Sequence, residues 1–233
     1  MRIAVLEDDK DQNKMIQLWL EMGGHSCHPH LDAASFQKDL KRSSFDLLIL
    51  DWELSVSSGI EVLEWVRKQI DWRIPVLFMT ARDSEEDIVY ALEKGADDYI
   101  VKPASKAVTL ARINALARRS NSDNPQGETL VFGDMTLNVR QSEARVAGEL
   151  VELTDREFQL AVMLFTNVGR LISRDHLLET IWGITANIAT RTVDTHVSRL
   201  RQKLHLTPEH GWQLKAIYQH GYRLEQLNDS QVA

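Results

Sequence analysis

The stretch Phe45-Asp46-Leu47-Leu48-Ile49-Leu50-Asp51 decides how the chain is read. Four aliphatic side chains, Leu47 to Leu50, run without a polar break and stop at a carboxylate. A run this short, bounded by polar residues, suits a strand buried on both faces of a parallel sheet. Asp51 then stands at the carboxyl end of that strand, where open α/β sheets place their ligand site. Outward from it the same arrangement recurs. Ile3-Ala4-Val5-Leu6 ends in Glu7-Asp8-Asp9, Pro75-Val76-Leu77-Phe78-Met79 ends at Thr80, and Ile100-Val101 ends at Lys102. Pro75 opens its strand, where no ladder donor is lost.

Helical patterns separate these runs. Met15, Ile16, Leu18, Trp19 and Met22 fall at helix spacing before Gly23-Gly24, and Ala33 to Lys41 follows a weak edge-strand candidate over Ser26 to His30. Ile60, Val62, Leu63 and Val66 mark a third helix. Ser84 with Asp87 reads as a cap and first-turn acid for a fourth, and Val108 to Arg119 forms the last. Strands alternating with helices predict an α/β fold, a five-stranded doubly wound parallel sheet in the flavodoxin-like order 2-1-3-4-5. Glu7, Asp8, Asp51, Thr80 and Lys102 then gather at one edge of it. Oxygen ligands of this kind suit Mg²⁺, which retains several waters in octahedral coordination. Lys102 can pair with a phosphate oxygen and the Thr80 hydroxyl can donate to another. Alone, each is an ordinary turn or strand-end residue. Together they describe a phosphoryl-accepting site with Asp51 as the in-line nucleophile.

At 233 residues the chain has room for two ordinary domains. A single cysteine, Cys27, excludes an internal disulfide framework and a multi-thiolate metal site, and fits a reducing compartment. The first apolar run is too short for a signal-peptide core and no run approaches a membrane span, so a cytoplasmic protein is expected. The net charge of −7 conceals its distribution: between Asn187 and Arg223 six Lys/Arg stand against two acids. Such a local basic patch fits phosphate contact.

Ser120-Asn121-Ser122-Asp123-Asn124-Pro125-Gln126-Gly127 carries no apolar pattern and reads as a linker (120–127) between a first domain over 1–119 and a second over 128–228. The second opens with a small antiparallel sheet from Leu130 to Leu153, with turns at Gly133-Asp134 and Gly148-Glu149. Thr154 to Glu157 has capping-box spacing ahead of Phe158, Ala161, Val162 and Phe165. Ser173 caps a second helix, and a third is expected from near Thr190 to about Leu204. Val193, Val197, Leu200 and Leu204 give the third a buried stripe. Its other side carries Arg191, Thr192, Thr195, Ser198, Arg199, Gln202 and Lys203, with His196 and Arg201 on the flanks. Arg among short polar residues suits a helix in the major groove of double-stranded DNA. Two strand-like segments, Trp212–Ile217 and Tyr222–Leu224, complete an α+β winged helix, with Lys215, Tyr218 and Arg223 on the wing side.

Residues 1–119 resemble a response-regulator receiver domain, through Glu7-Asp8, Leu50-Asp51, Met79-Thr80-Ala81-Arg82, Gly95-Ala96-Asp97-Asp98-Tyr99 and Lys102-Pro103. Leu153-Thr154, Glu157-Phe158, Gly169 to Arg174, Ile181-Trp182-Gly183, Arg191 to Arg201 and Gly221-Tyr222-Arg223 resemble the OmpR/PhoB effector domain. The resemblance implies a transcriptional regulator in which a cognate sensor histidine kinase phosphorylates Asp51. It also implies Mg²⁺ held by Glu7, Asp8, Asp51 and the Glu53 backbone carbonyl, and Thr80 with Tyr99 as a switch pair. The resemblance further implies a homodimer on phosphorylation, which places two winged helices on direct-repeat promoter half-sites with RNA polymerase as a further partner. Asp97 and Asp98 match the family's dimer acids, and Arg112 and Arg119 their cross-dimer partners. Ile88 and Val108 stand where a further ion pair is usual, so an apolar contact is expected there.

Other departures bear on the site. Ser55 replaces a usual proline, which predicts a looser loop after Asp51. Ala104 replaces a common phenylalanine, Ser198 a common arginine, and Tyr218-Gln219 a usual Arg-Gly in the wing. Glu53 and Arg82 lie two residues after Asp51 and Thr80, where a contact between them can govern loss of the phosphoryl group. Two other readings are a phosphate-independent constitutive regulator and an aspartate-nucleophile phosphohydrolase. The latter calls for a second Asp two residues on, where this chain has Glu53.

Overall fold

The computed structural model describes residues 1–70, 73–120, 129–183 and 191–227, with the side chains of residues 119, 120 and 191 outside that description. The chain divides into two compact units, Met1–Ser120 and Asn121–Ala233. The expected linker, apart from Ser120, lies outside the described residues.

In the first unit the strands are β1 (Arg2–Leu6), β2 (Ser26–His30), β3 (Leu47–Leu50), β4 (Val76–Thr80) and β5 (Asp98–Val101). The helices between them are α1 (Lys10–Met22), α2 (Ala33–Leu40), α3 (Gly59–Gln69), α4 (Glu85–Glu93) and α5 (Lys106–Ser120). The sheet order is β2-β1-β3-β4-β5 with every pair parallel, as the strand-end pattern predicted. All four residues of β3 and all five of β1 and β4 are buried, because helices cover both faces. One core gathers Leu48, Leu50, Phe78 and Tyr99, the other Ile3, Ile49, Met79 and Ile113. The edge strand β2 is only partly buried, which accounts for its mixed Ser26-Cys27-His28-Pro29-His30 sequence.

Several helix starts follow from local chemistry. Asp9 caps α1, its carboxylate accepting from the Asp11 and Gln12 amides. Ser58 and Glu61 form a capping box on α3, and Ser84 caps α4 by accepting from the Asp87 amide at 3.1 Å.

The second unit begins with β6 (Thr129–Phe132), β7 (Met135–Asn138), β8 (Glu143–Val146) and β9 (Glu149–Val151), an antiparallel sheet in sequence order. Then come α6 (Asp155–Phe165), β10 (Leu171–Ser173), α7 (Arg174–Trp182), α8 (Arg191–Lys203), β11 (Trp212–Ile217) and β12 (Gly221–Gln226). The Thr154/Glu157 capping box on α6 is present on both sides, and Ser173 caps α7. Strand β10 was not anticipated. Its three residues pair with β12 and make the wing hairpin part of a sheet ordered β10-β12-β11. Gly221 lies where a side chain would run into the Ile172 carbonyl, so only glycine lets these strands meet.

Candidate functional site

The site in the first unit is built from the carboxyl ends of separate strands. Lys102 extends its ammonium between two carboxylates, 2.5 Å from Glu7 Oε2 and 2.7 Å from Asp51 Oδ2. Glu7 and Asp51 are both buried. Burial pushes the Glu7 carboxyl above its usual range even with Lys102 beside it. Burial alone would depress Lys102, but its bonds to Asp51 and Glu7 outweigh that and raise it. One ammonium thus serves two acids in a place that favours positive charge. Asp8 turns to the β3–α3 loop instead, accepting from the Ser55 amide at 2.7 Å and from the Ser55 hydroxyl. The hydroxyl bond is the main reason its carboxyl lies below the ordinary value.

That loop is tied down rather than loose, which corrects the expectation drawn from Ser55. Besides the Asp8 bonds, Glu53 and Ser58 form an isolated antiparallel bridge, and the Gly59 amide donates to the Trp52 carbonyl at 2.9 Å. The Glu53 amide donates to Asp51 Oδ1 at 3.2 Å. Gly59 sits directly against the Asp51 backbone, where a Cβ would collide with the carbonyl oxygen.

Thr80 is fully buried at the end of β4, and its Oγ1 lies 3.5 Å from the Arg82 amide. Tyr99 is buried as well, stacked near Phe78, with its hydroxyl donating to the Arg82 carbonyl at 3.0 Å. Burial, followed by the Asp87 charge, pushes the phenol up to about 12. Arg82 is a junction the sequence only partly revealed. Its guanidinium lies 4.9 Å over the Trp52 ring, 2.9 Å from Asp87 and 3.5 Å from Glu53 Oε1. The Glu53–Arg82 contact expected from the family resemblance is therefore present. Sequence reasoning misses Trp52, although its position directly after Asp51 is a usable signal. Asn13 was also missed: its buried amide donates to the Glu7 and His30 carbonyls and fixes the loop after β1.

Among the described residues no three His, Cys, Asp or Glu side chains close round a common point. Octahedral Mg²⁺ does not require that, since one or two carboxylates, a carbonyl and retained waters suffice. The all-oxygen donors and the charge balance around Lys102 fit such an ion.

The residues that match the family's dimer positions have partners within the chain. Asp97 Oδ2 accepts from Arg67 at 2.8 Å and from the Val76 amide at 2.8 Å, and Arg73 lies 3.6 Å from its other oxygen. Within the chain this carboxylate fastens α3 to β4 and β5. Asp98 pairs with Arg112 at 2.7 Å inside one chain. The Arg119 side chain lies outside the described residues. Ile88 is half-buried, Val108 is exposed, and both line a groove of about 620 Å³ with Leu92, Tyr99, Val101 and Ala104.

In the second unit Val193, Val197 and Leu200 are fully buried, and Thr195, Ser198 and Arg199 lie on the exposed side of α8. Thr192 is half-buried beside them, and the Arg191 side chain lies outside the described residues. Three other candidates are drawn into the fold. Arg201 donates through Nε to the Leu214 carbonyl at 2.9 Å and lies over the Tyr222 ring. Lys203 binds the buried Glu157 carboxylate at 2.8 Å and the Glu152 carbonyl at 2.9 Å. The His196 ring packs edge-on against Trp182, with Nδ1 2.9 Å from the Thr192 carbonyl. Helical spacing assigned these residues a face but not their reach, and each long side chain found a carbonyl, a carboxylate or a ring nearby. On the wing Lys215 pairs with Glu225 at 2.6 Å and Arg223 lies 4.0 Å from the same residue. Tyr218 is the most open, 83% exposed at the hairpin tip. Asp194 of α8 accepts from Arg174 of α7 at 2.9 Å and from the Tyr222 hydroxyl of β12, a clamp the sequence reading missed.

Comparison with known proteins agrees with both units. The model of the response regulator receiver domain matches residues 3–114, and that of the transcriptional regulatory protein C-terminal family matches residues 148–224. The chain is 34% identical over 233 residues to the alkaline phosphatase synthesis transcriptional regulatory protein PhoP of Bacillus subtilis (strain 168), with 97% of each chain covered. It is also 34% identical over 226 residues to the sensory transduction protein RegX3 of Mycolicibacterium smegmatis, covering 96% of this chain and 98% of that one. Among solved structures, a CheY-like receiver domain protein from Methanospirillum hungatei JF-1 has 25% identity and a TM-score of 0.50, over 53% of this chain and 98% of that one. The strand-end acids with their shared lysine, the winged helix and these relatives together establish that the chain belongs to the OmpR/PhoB family of response regulators, a receiver domain joined to a DNA-binding transcriptional-regulator domain.

Proposed function

We propose that a cognate sensor histidine kinase transfers its phosphoryl group to Asp51, and that the transfer drives dimerisation through the receiver and binding to direct-repeat promoter DNA. The observation that carries this reading is Lys102 held between Glu7 and Asp51 at the ends of three strands. An Asp51 carboxylate oxygen attacks phosphorus, the bond to the donor's imidazole nitrogen breaks, and its electron pair returns to that ring. Asp8, Asp51 and the Glu53 backbone carbonyl, with Glu7 behind them, would hold Mg²⁺, which supplies charge neutralisation for the incoming group. Lys102 then has a more highly charged partner on the Asp51 side, because a phosphoryl group adds negative charge and acceptor oxygens. The Thr80 hydroxyl donates to one of those oxygens, and its movement biases the packing around Tyr99.

On this reading the chain works as a regulator in the cytoplasm and turns over no substrate of its own. No described helix is long and apolar enough to cross a membrane. In the second unit α8 enters the major groove with Thr192, Thr195, Ser198 and Arg199, joined by Arg191, while Lys215, Tyr218 and Arg223 approach from the wing. RNA polymerase is a partner in the sense that any promoter-bound regulator lies beside it. Dimerisation uses the groove between α4, β5 and α5. There Ile88 and Val108 contact the partner through apolar surface, and the Asp98–Arg112 pair exchanges its intrachain partner for one across the dimer, alongside Arg119. Beryllofluoride with Mg²⁺, followed by sizing and a DNA shift, tests the whole reading; a chain that stays monomeric with unaltered DNA affinity refutes it.

A second reading, control without phosphorylation, has one observation in its favour. Tyr99 is already buried and bonded to the Arg82 carbonyl. It requires equal dimerisation and DNA affinity with and without phosphodonor in the same experiment.

A further inference from the structure

The β3–α3 loop carries the Glu53 carbonyl, and one residue on that loop reaches across to the segment after β1. Ser55 donates both its amide, at 2.7 Å, and its hydroxyl to the same oxygen of Asp8, Oδ2. The two residues are separated by 47 positions, so these bonds join the loops that follow the neighbouring strands β1 and β3 beyond the ends of their ladder. Two donors on Oδ2 restrict how the Asp8 carboxylate can turn. The loop is held at its other end as well, by the Glu53–Ser58 bridge and the bond from the Gly59 amide to the Trp52 carbonyl. Glu53 is thereby fixed between two anchors.

We propose that Ser55 is a positioning residue for the divalent cation, strapping Asp8 to the loop that bears the Glu53 carbonyl and so holding two ligands at a set spacing. The inference rests on the reading of Glu7, Asp8 and Asp51 as a cation site. Its physical basis is that hydrogen-bonded partners of a ligand restrict it before the ion arrives, so less ordering remains to be done on binding. Ser55 is itself exposed and packs into no core, so its replacement leaves the sheet intact.

The experiment is a calorimetric titration of the full chain with Mg²⁺ alone, no phosphodonor present, on wild type, Ser55→Ala, Ser55→Thr and Asp8→Asn. Ser55→Ala is expected to weaken Mg²⁺ about tenfold, the lower end of the losses seen when a ligand's hydrogen-bond partner is removed. Ser55→Thr keeps both donors and restores the wild-type affinity. Asp8→Asn gives the largest loss. Matched thermal melts of the four proteins exclude unfolding as the cause of any difference. If Ser55→Ala binds Mg²⁺ as tightly as wild type or tighter, or if Thr fails to rescue, the positioning role is overturned while the cation site stands. If wild type takes up no Mg²⁺, or Asp8→Asn binds it equally well, the cation site itself is wrong.

Discussion

Lys102 shows how much one side chain decides. It neutralises two buried carboxylates, so Lys102→Ala leaves both without a counter-charge, at a cost of about 3 kcal/mol or more in receiver stability by denaturant titration. The pH dependence has a definite sign. Burial already holds the folded Glu7 above its reference value of 4.5, and loss of the lysine raises it further. A raised carboxyl favours the folded state at pH below the unfolded value and loses that contribution as pH rises through the folded one. The defect in Lys102→Ala should therefore be largest at neutral pH and shrink on acidification through the folded Glu7 value; an equal defect across that range would contradict the account. Glu53 and Arg82 carry a separate expectation. Their 3.5 Å contact flanks Asp51, so the phosphoryl lifetimes of Glu53→Ala, Arg82→Ala and the double variant should be non-additive. Additive effects would show that the two residues act independently. Much of this site was legible in the sequence, because each group terminates an apolar run and strand ends of a parallel sheet share one edge. Arg67, which captures Asp97, was not legible: it lies 30 positions away on α3, and no local pattern announces the contact.

At the scale of elements, what the sequence showed depended on length and on local bonds. The buried strands of the receiver and helix α3 followed from apolar runs and spacing, and α4, α6 and α7 from cap residues as well, while the Ser58 cap of α3 did not. The three-residue β10 did not, since its pairing with β12 is set by the distant wing. The same limit explains Arg201 and Lys203, which share a helix with the exposed Thr195, Ser198 and Arg199 yet bind Leu214, Glu152 and Glu157. Two outcomes follow for the second unit. Lys203→Ala strips the buried Glu157 of its ammonium and should lower domain stability by about 1.5–3 kcal/mol, beyond any change in DNA affinity. Arg174→Ala breaks the clamp joining α7, α8 and β12 through Asp194 and Tyr222, and should speed amide exchange across the β11–β12 hairpin while leaving the β6–β9 sheet unchanged. Uniform exchange in both sheets would show that the clamp does not act locally.

For the whole molecule, Ile88 and Val108, which line one groove together with Asp98, Ser105 and Arg112, bear on how the proposed dimer responds to salt. An apolar contact is little screened by added ions, so the beryllofluoride-activated dimer should weaken less between 0.1 and 1 M salt, over which screening shortens from about 10 to about 3 Å, than Ile88→Lys/Val108→Glu, which restores an ion pair. Everything else in the account depends on Asp51 gaining charge and the second unit gaining DNA affinity in consequence. The direct test is the affinity of full-length Asp51→Ala for promoter DNA, measured with and without acetyl phosphate and Mg²⁺ beside wild type. Phosphodonor should tighten binding and produce dimers in wild type and do neither in Asp51→Ala, whose fold and basal DNA affinity persist. Phosphodonor that still tightens DNA binding in Asp51→Ala would contradict the account.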